Sequence, residues 1–298
     1  MLFDAYLMVD WSGRNAPSRR APSKDAIWVG ERSRSRTGET YLRTREAATR
    51  HVRARLVEHV DAGARVLVGF DFPYGYPRGF AAAIGGAGGS WRAVWDALGA
   101  AVEDDAANRN NRFAVAAMLN ARVAGPGPFW GCPASAEGPD LTRTLNGVFA
   151  FPVAGIGRLR ATEAAMSGVQ ETWKLLGNGS VGSQALVGIP RVRSLRDAPA
   201  GAGGGRVGPL EPGSPRGPVR AAGPAVLHAE IWPGIIPVPA TAPIRDRAQV
   251  RLMCDRMAAE DVAGTLGAWF APALDPQAAA DAVAEEGWIL GCVPGGGP

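Results

Sequence analysis

A nearly continuous apolar run, Ala64 to Phe70 (ARVLVGF), ends at Asp71 and constrains the fold more than any other segment. Such a run suits a β-strand that is buried on both faces of a sheet, which is typical of α/β proteins. The segment before it carries apolar residues at four-residue spacing. This spacing predicts a helix that begins at the cap residue Thr44 and stops at Gly63.

Three short strands are predicted ahead of this helix, bounded by Gly, Pro or Ser clusters: Tyr6–Val9, Asp25–Gly30 and Glu39–Arg43. Their connections are too short for crossovers, so we expect an antiparallel meander. The helix would then carry the chain to a parallel neighbour. A further strand at Ala225–Ile231 completes the same sheet. The sequence thus predicts one α/β domain, residues 1–298, with a mixed sheet that is antiparallel in its first three strands and then parallel.

The remainder of the chain is predicted to be mostly helical. A large helical insertion is expected over about 81–190, and the segment Asp197–Pro224, rich in Gly and Pro, is expected to be a mobile surface loop that folding does not need. The predicted helices are Ser90–Ala107, Arg112–Arg122, Thr162–Leu176, one that starts between Pro243 and Asp246 and runs to Phe270, and Pro276–Glu286.

Composition limits the class of protein. With 46% hydrophobic and 20% charged residues the chain is neither disordered nor a disulfide miniprotein. Its three cysteines are widely spaced, which argues against a disulfide framework or a structural zinc site. No stretch approaches the ~18 apolar residues of a membrane span, and the N-terminus lacks a secretory signal, so a cytoplasmic protein without a membrane partner is expected. A net charge of +4 is too small to imply nucleic acid by itself.

Three acidic residues occupy equivalent places: Asp10, Asp71 and Glu230 each stand at or near the C-terminal end of a predicted core strand. Ligands of open α/β sheets bind outside these ends, so the three side chains are expected to converge. Clustered carboxylates repel unless a cation neutralises them, and hard oxygen ligands suit Mg²⁺ or Mn²⁺. Taken singly, a strand-end Asp is more often a turn residue.

The long C-terminal helix offers a fourth acid. Asp246 lies in its predicted first turn, closest to the strand ends, whereas Asp255 and Asp261 lie about 13 and 22 Å further along at 1.5 Å per residue. Asp246 is therefore the expected ligand, with helix N-capping as the alternative role.

Four segments together resemble a known family: VDWSG (9–13), GFDFPYGYP (69–77), LRATE (159–163) and AEIWPG (229–234). They are similar to a family of uncharacterised bacterial and archaeal proteins, a domain of unknown function with a ribonuclease H-like fold. The resemblance implies that fold for this chain. It also implies a substrate-binding or metal-facing role for Arg160 and Glu163, although capping of a helix by Thr162 would explain this segment equally well.

Other candidates for substrate binding flank the predicted helices. The stretch 175–184 (LLGNGSVGSQ) is rich in Gly, and its backbone amides could cradle a phosphate, with Lys174 and Ser180 beside them. A helix C-cap followed by a turn is the alternative. Arg112 could contact a polar ligand, or simply belong to a helix start.

These observations predict a divalent-metal-dependent phosphate-ester hydrolase, either a nuclease or a nucleotide phosphohydrolase. Its catalytic and metal-binding residues would be Asp10, Asp71, Glu230 and Asp246, and its partner a phosphate-containing substrate, with nucleic acid as one candidate. The alternative is a non-catalytic nucleotide- or small-ligand-binding protein of the same fold, whose acids would pair with Arg160 or Arg112. Weaker alternatives are a role in molybdopterin guanine dinucleotide synthesis, which the resemblance suggests, and an actin-like ATPase. The sequence does not indicate an oligomeric state.

Overall fold

A computed structural model describes residues 1–85, 87–123, 125–211, 223–270 and 273–292. Its centre is a six-stranded mixed sheet with the strand order β3-β2-β1-β4-β6-β5. The strands are β1 (Ala5–Asp10), β2 (Ile27–Ser33), β3 (Thr37–Leu42), β4 (Arg65–Phe70), β5 (Arg206–Gly208) and β6 (Ala225–Glu230).

The strand directions confirm the predicted meander and its parallel continuation. β1 pairs antiparallel with β2, and β2 with β3, whereas β1 pairs parallel with β4, and β4 with β6. The register places Val9 opposite Phe70, and Phe70 opposite Glu230. The C-terminal ends of β1, β4 and β6 therefore lie side by side at one edge of the sheet.

Nine α-helical segments lie among the described residues. They are α1 (Arg45–Asp61), α2 (Phe80–Ala83), α3 (Trp91–Ala101), α4 (Arg112–Val123), α5 (Ala161–Ala165), α6 (Val181–Arg196), α7 (Arg245–Ala263), α8 (Leu266–Trp269) and α9 (Pro276–Asp281). None of these helices is long and apolar enough to cross a membrane.

The sheet separates two apolar cores because successive strand residues point to opposite faces. Leu7 and Val9 of β1 pack with α1, α3 and α6 on one face. Tyr6 and Met8 pack against α7 on the other. The molecule thus has three layers, and β1 and β4 are covered on both sides, as their apolar sequences predict.

The helix α1 has the predicted boundaries. Thr44 is its N-cap and accepts a hydrogen bond on Oγ1 from the Ala47 N–H at 3.2 Å. Gly63, just beyond the end, has a φ of 79°, a conformation that glycine adopts without strain.

The predicted helix Thr162–Leu176 is wrong over most of its length. Only α5 forms, because the backbone of Met166 is extended and Gly168 has a φ of 87°. The chain then continues through bends and turns, and Lys174 forms an isolated β-bridge with Trp130. Thr162 is not the N-cap either: Arg160 occupies that position, and the Thr162 hydroxyl accepts from the Ile289 N–H at 3.2 Å.

A long helix, α6, begins inside the Gly-rich stretch 175–184, for which a phosphate-binding loop or a turn was expected. It contains Pro190 and Gly188, which lower intrinsic helix propensity. Gly188 is needed for packing, since a Cβ there would stand 2.4 Å from the Phe72 ring. Tertiary contacts therefore override the local sequence preference.

Two other predicted helices are shorter than expected. The helix predicted to reach Ala107 ends at Ala101, where Val102 turns extended. The helix predicted to reach Phe270 ends at Ala263, because Gly264 adopts a φ of 76° and α8 begins separately.

The segment predicted as a loop over 197–224 contains a strand. β5 pairs parallel with β6, its Val207 is fully buried, and the Val207 N–H donates to Glu211 Oε2 at 2.7 Å. Three residues are too few to show a periodic pattern in sequence. Residues 212–222 of this segment lie outside the described residues.

Candidate functional site

A cleft of about 480 Å³ opens at the edge of the sheet where β1 ends. The loop after β1 and the start of α7 form one wall, and the Gly-rich loop before α6, with the first turn of that helix, forms the other. The polar side chains that line it include Asp10, Asp25, Asp246, Arg112, Ser180 and Gln184.

The acidic wall is built from three separate elements. Asp10 ends β1, Asp246 lies in the first turn of α7, and Asp71 follows β4 directly behind Asp10. The Trp11 N–H donates to Asp71 Oδ1 at 2.6 Å, and the Asp25 N–H donates to Asp246 Oδ2 at 2.7 Å. The carboxylate of Asp10 accepts no hydrogen bond from the described residues.

These aspartates hold protons more tightly than ordinary carboxyls. Burial raises the pKa of Asp71 to about 7 despite the hydrogen bond from Trp11. Burial, followed by the charges of Asp71, Asp246 and Asp25, raises the pKa of Asp10 well above its usual range. The pKa of Asp246 is also raised, mainly by burial. No arginine or lysine of the described residues forms an ion pair with any of them, so no direct counter-charge relieves their mutual repulsion.

The donor chemistry of this wall suits a hard divalent cation, since three carboxylates from three elements meet without a basic partner. Among the described residues, however, no three His, Cys, Asp or Glu side chains already stand in an arrangement that holds a metal ion. A cation would therefore have to draw Asp10, Asp71 and Asp246 closer together.

The structure does not bring Glu230 into this group. Its carboxylate accepts from Arg160 Nη1 at 2.8 Å and Nη2 at 2.6 Å, and from the Tyr74 N–H at 3.0 Å. Arg160 also donates from Nε to Glu163 Oε1 at 2.8 Å and from Nη1 to the Glu286 carbonyl at 2.8 Å. These side chains are essentially inaccessible to solvent, so Arg160 and Glu163 lie in the interior and not in the cleft.

This buried network ties three parts of the chain together: β6, α5 and the segment that follows α9. Burial raises the pKa of Glu163 to about 7 even though the Arg160 charge opposes the shift. The carboxylates of Glu230 and Glu163 raise the pKa of Arg160 against the effect of its own burial. The network holds a permanent cation in the core, and its position indicates a structural role.

The wall opposite the acids contains two of the three residues predicted there to bind substrate. Arg112 and Ser180 line the cleft. Lys174 lies outside the lining: its ammonium donates to the Asn178 carbonyl at 2.7 Å and stands 5.4 Å from the Trp130 ring centre.

Two contacts fix this wall to the end of β1. Gln184 Nε2 donates to the Trp11 carbonyl at 2.6 Å. A Cβ at Gly13 would stand 3.1 Å from Ser183 Cβ, so the loop after β1 approaches α6 more closely than most side chains allow.

Asp25 is a cleft residue that the sequence analysis missed. Its φ of 55° is unusual for a residue other than glycine, and its N–H holds Asp246 in place. The signal was present in the predicted hairpin: antiparallel pairing sets Asp10 opposite Trp28, so the residues just before β2 must lie near the end of β1.

No family model matches the chain, and neither a curated protein nor a solved structure is significantly similar to it. The functional argument therefore depends on the geometry of the cleft.

Proposed function

We propose that the protein is a divalent-metal-dependent phosphate-ester hydrolase, a nuclease or a nucleotide phosphohydrolase, with Mg²⁺ or Mn²⁺ held by Asp10, Asp71 and Asp246. The observation that carries the proposal is the acidic wall. Asp10 and Asp246 line an open cleft and Asp71 follows the neighbouring strand, two of the three have strongly raised pKa values, and none forms an ion pair with a basic side chain among the described residues. Such an arrangement is costly for stability alone and is typical of functional sites.

We further propose that the sheet belongs to the ribonuclease H-like class. The support is the antiparallel order of β3, β2 and β1 followed by parallel β4 and β6, together with the sequence segments that resemble that family. The fold by itself does not assign a reaction.

In the proposed reaction, water adds to the phosphorus atom, the bond from phosphorus to the leaving oxygen breaks, and the leaving oxygen takes the proton that the water loses. The cation would supply charge neutralisation and a more acidic bound water. The chain supplies the carboxylates that position the cation, and the Trp11 and Asp25 N–H groups that orient two of these carboxylates.

The pairing of Glu230 with Arg160 favours the second candidate, a non-catalytic nucleotide- or small-ligand-binding protein. It removes one of the four acids expected to hold the metal. The three aspartates still lack an arginine partner, which is why we place hydrolysis first.

Thermal denaturation with and without Mg²⁺ or Mn²⁺ tests the cation site, because a ligand that binds only the folded protein raises its melting temperature. We expect a clear increase for the wild type and almost none for Asp71→Asn. Asp255→Asn is the control: Asp255 lies on α7 and pairs with Arg32 at the surface. Equal increases in wild type and Asp71→Asn would remove Asp71 from the cation site.

Activity is tested by a metal-dependent screen of nucleotides, single- and double-stranded nucleic acids and simple phosphodiesters, with Asp10→Asn as the inactive control. Hydrolysis that is abolished by chelation and by Asp10→Asn would support the proposal. Cation binding without turnover of any of these substrates would favour the binding protein.

A further inference from the structure

Arg112, on the wall opposite the acids, is a buried cation that lacks a counter-charge. Its side chain is 7% exposed, and its Nε donates to Ser183 Oγ at 2.9 Å and its Nη1 to Asn110 Oδ1 at 2.8 Å. Both acceptors are neutral. Burial, and then the nearby charge of Arg45, lower its pKa to about 10. No carboxylate of the described residues forms an ion pair with Arg112, although buried charges are normally paired.

Asp104, the carboxylate whose charge acts on Arg112, already forms ion pairs with two other arginines. Asp104 accepts from Arg45 Nε at 2.9 Å and from Arg191 Nη2 at 2.9 Å. Arg45 and Arg191 therefore share the Asp104 carboxylate, which leaves Arg112 without an ion-pair partner among the described residues. Nη2 of Arg112 has no hydrogen-bond partner in the part of the chain that the structure describes.

The first turn of α6 adds backbone donors to the same wall. α6 has 16 residues, and the hydroxyl of its N-cap residue, Ser180, makes no capping bond. The N–H groups of residues 176–181 donate to no acceptor among the described residues, and this loop lines the cleft. A helix of this length carries partial positive charge at its N-terminus, and free N–H groups there favour an anion.

We propose that Arg112, the loop 176–181 and the N-terminus of α6 form an anion subsite that binds a phosphate group of the substrate. The buried guanidinium without a carboxylate partner is the main evidence, and the loop that lines the cleft adds backbone N–H donors beside it. The proposal that the bound anion is a phosphate of the substrate rests on the proposed function. Anion binding itself uses no residue of the acidic wall.

Calorimetric titration of the metal-free protein with inorganic phosphate, in the presence of a chelator, tests the subsite. We expect saturable binding to the wild type that is weakened at least about tenfold in Arg112→Gln, a change that corresponds to about 1.4 kcal/mol. Arg109→Gln is the matched control, because Arg109 is exposed and, among the described residues, forms an ion pair with Asp105 alone. It should bind phosphate like the wild type. No phosphate binding, or equal binding in Arg112→Gln, would overturn the proposal.

A second variant covers the case in which Arg112→Gln does not fold. Ser180→Asp places a negative charge at the N-cap of α6, where Asp is a favourable residue. We expect it to abolish phosphate binding while the melting temperature rises or stays unchanged. A Ser180→Asp protein that binds phosphate as well as the wild type would contradict the subsite.

The two proposals fail separately. Phosphate binding without any Mg²⁺-dependent rise in melting temperature would retain the subsite and reject the cation site. The opposite result would retain the cation site and reject the subsite.

Discussion

The half-buried carboxyl of Asp71 makes the stability of the metal-free protein depend on pH. Its pKa is about 7 in the folded state, against 3.8 for an ordinary aspartate. The folded protein therefore holds a proton that the unfolded chain releases, and stability falls as pH rises from about 4 to about 7. Above that range the folded protein must carry a half-buried negative charge.

Asp71→Asn removes this charge and keeps an oxygen that can accept from the Trp11 N–H. We expect the variant to exceed the wild type in free energy of unfolding by roughly 1–3 kcal/mol at pH 8 without metal, and to lose that advantage near pH 4. Urea unfolding at both pH values measures the difference. Equal destabilisation at both pH values would show that the Asp71 carboxylate has a structural role.

A single substitution at Glu230 can distinguish a structural role of this residue from a role as a cation ligand. Glu230→Gln leaves the buried Arg160 without one of its two charged partners. Loss of one partner of a buried ion pair costs about 3–5 kcal/mol, so we expect a large fall in the urea midpoint. The Mg²⁺-dependent rise in melting temperature should persist. Unchanged stability with a lost Mg²⁺ effect would instead place Glu230 among the cation ligands.

The acidic residues of α7 lie in different environments along the helix, and only the first turn of α7 lines the cleft. Asp246 lines the cleft, whereas Asp255 pairs with Arg32 at the surface. We expect Asp246→Asn to lose most of the Mg²⁺-dependent rise in melting temperature and Asp255→Asn to keep it. The reverse result would mean that α7 is oriented differently in solution.

The strands and helices with strong local patterns could be predicted from sequence. β4 and α1 follow from an apolar run and from four-residue spacing, together with a good cap at Thr44. α6 could not be predicted, because its Gly and Pro residues are tolerated only through packing against residues such as Phe72. The helix expected over 162–176 failed for the converse reason: its local pattern is overridden by the bridge between Trp130 and Lys174.

The sequence predicted those residues of the candidate site whose positions follow from the ends of strands or helices. Asp10 and Asp71 follow from the edge of a parallel sheet, and Asp246 from the rise of a helix. Glu230 also stands at the end of a parallel strand, but a strand-end position does not show that the fold buries Arg160 beside it. Asp25 could be placed near the site only from the register of the hairpin. The lack of a carboxylate partner for Arg112 could be seen only in the structure, because it depends on which arginines pair with Asp104.

The residues before β1 are hydrogen-bonded directly to the C-terminal end of α7. Asp261 accepts from the Leu2 N–H at 2.6 Å and from the Phe3 N–H at 2.8 Å, and the Tyr6 hydroxyl also donates to it. Asp261→Asn should lower the free energy of unfolding by about 1–3 kcal/mol, measured by urea denaturation, and leave the Mg²⁺ effect intact. A lost Mg²⁺ effect would extend the cation site to this end of α7.

The close approach of Gly13 to Ser183 has a consequence for ligand size. This contact joins the acidic wall to the wall of Arg112, so the size of residue 13 affects the separation of the proposed cation site and the proposed anion subsite. A methyl group there would push the walls apart by a few tenths of an ångström, and a larger side chain by more. In the proposed hydrolase, substitutions at position 13 are therefore expected to change selectivity among phosphate esters of different length without altering any of the proposed binding groups.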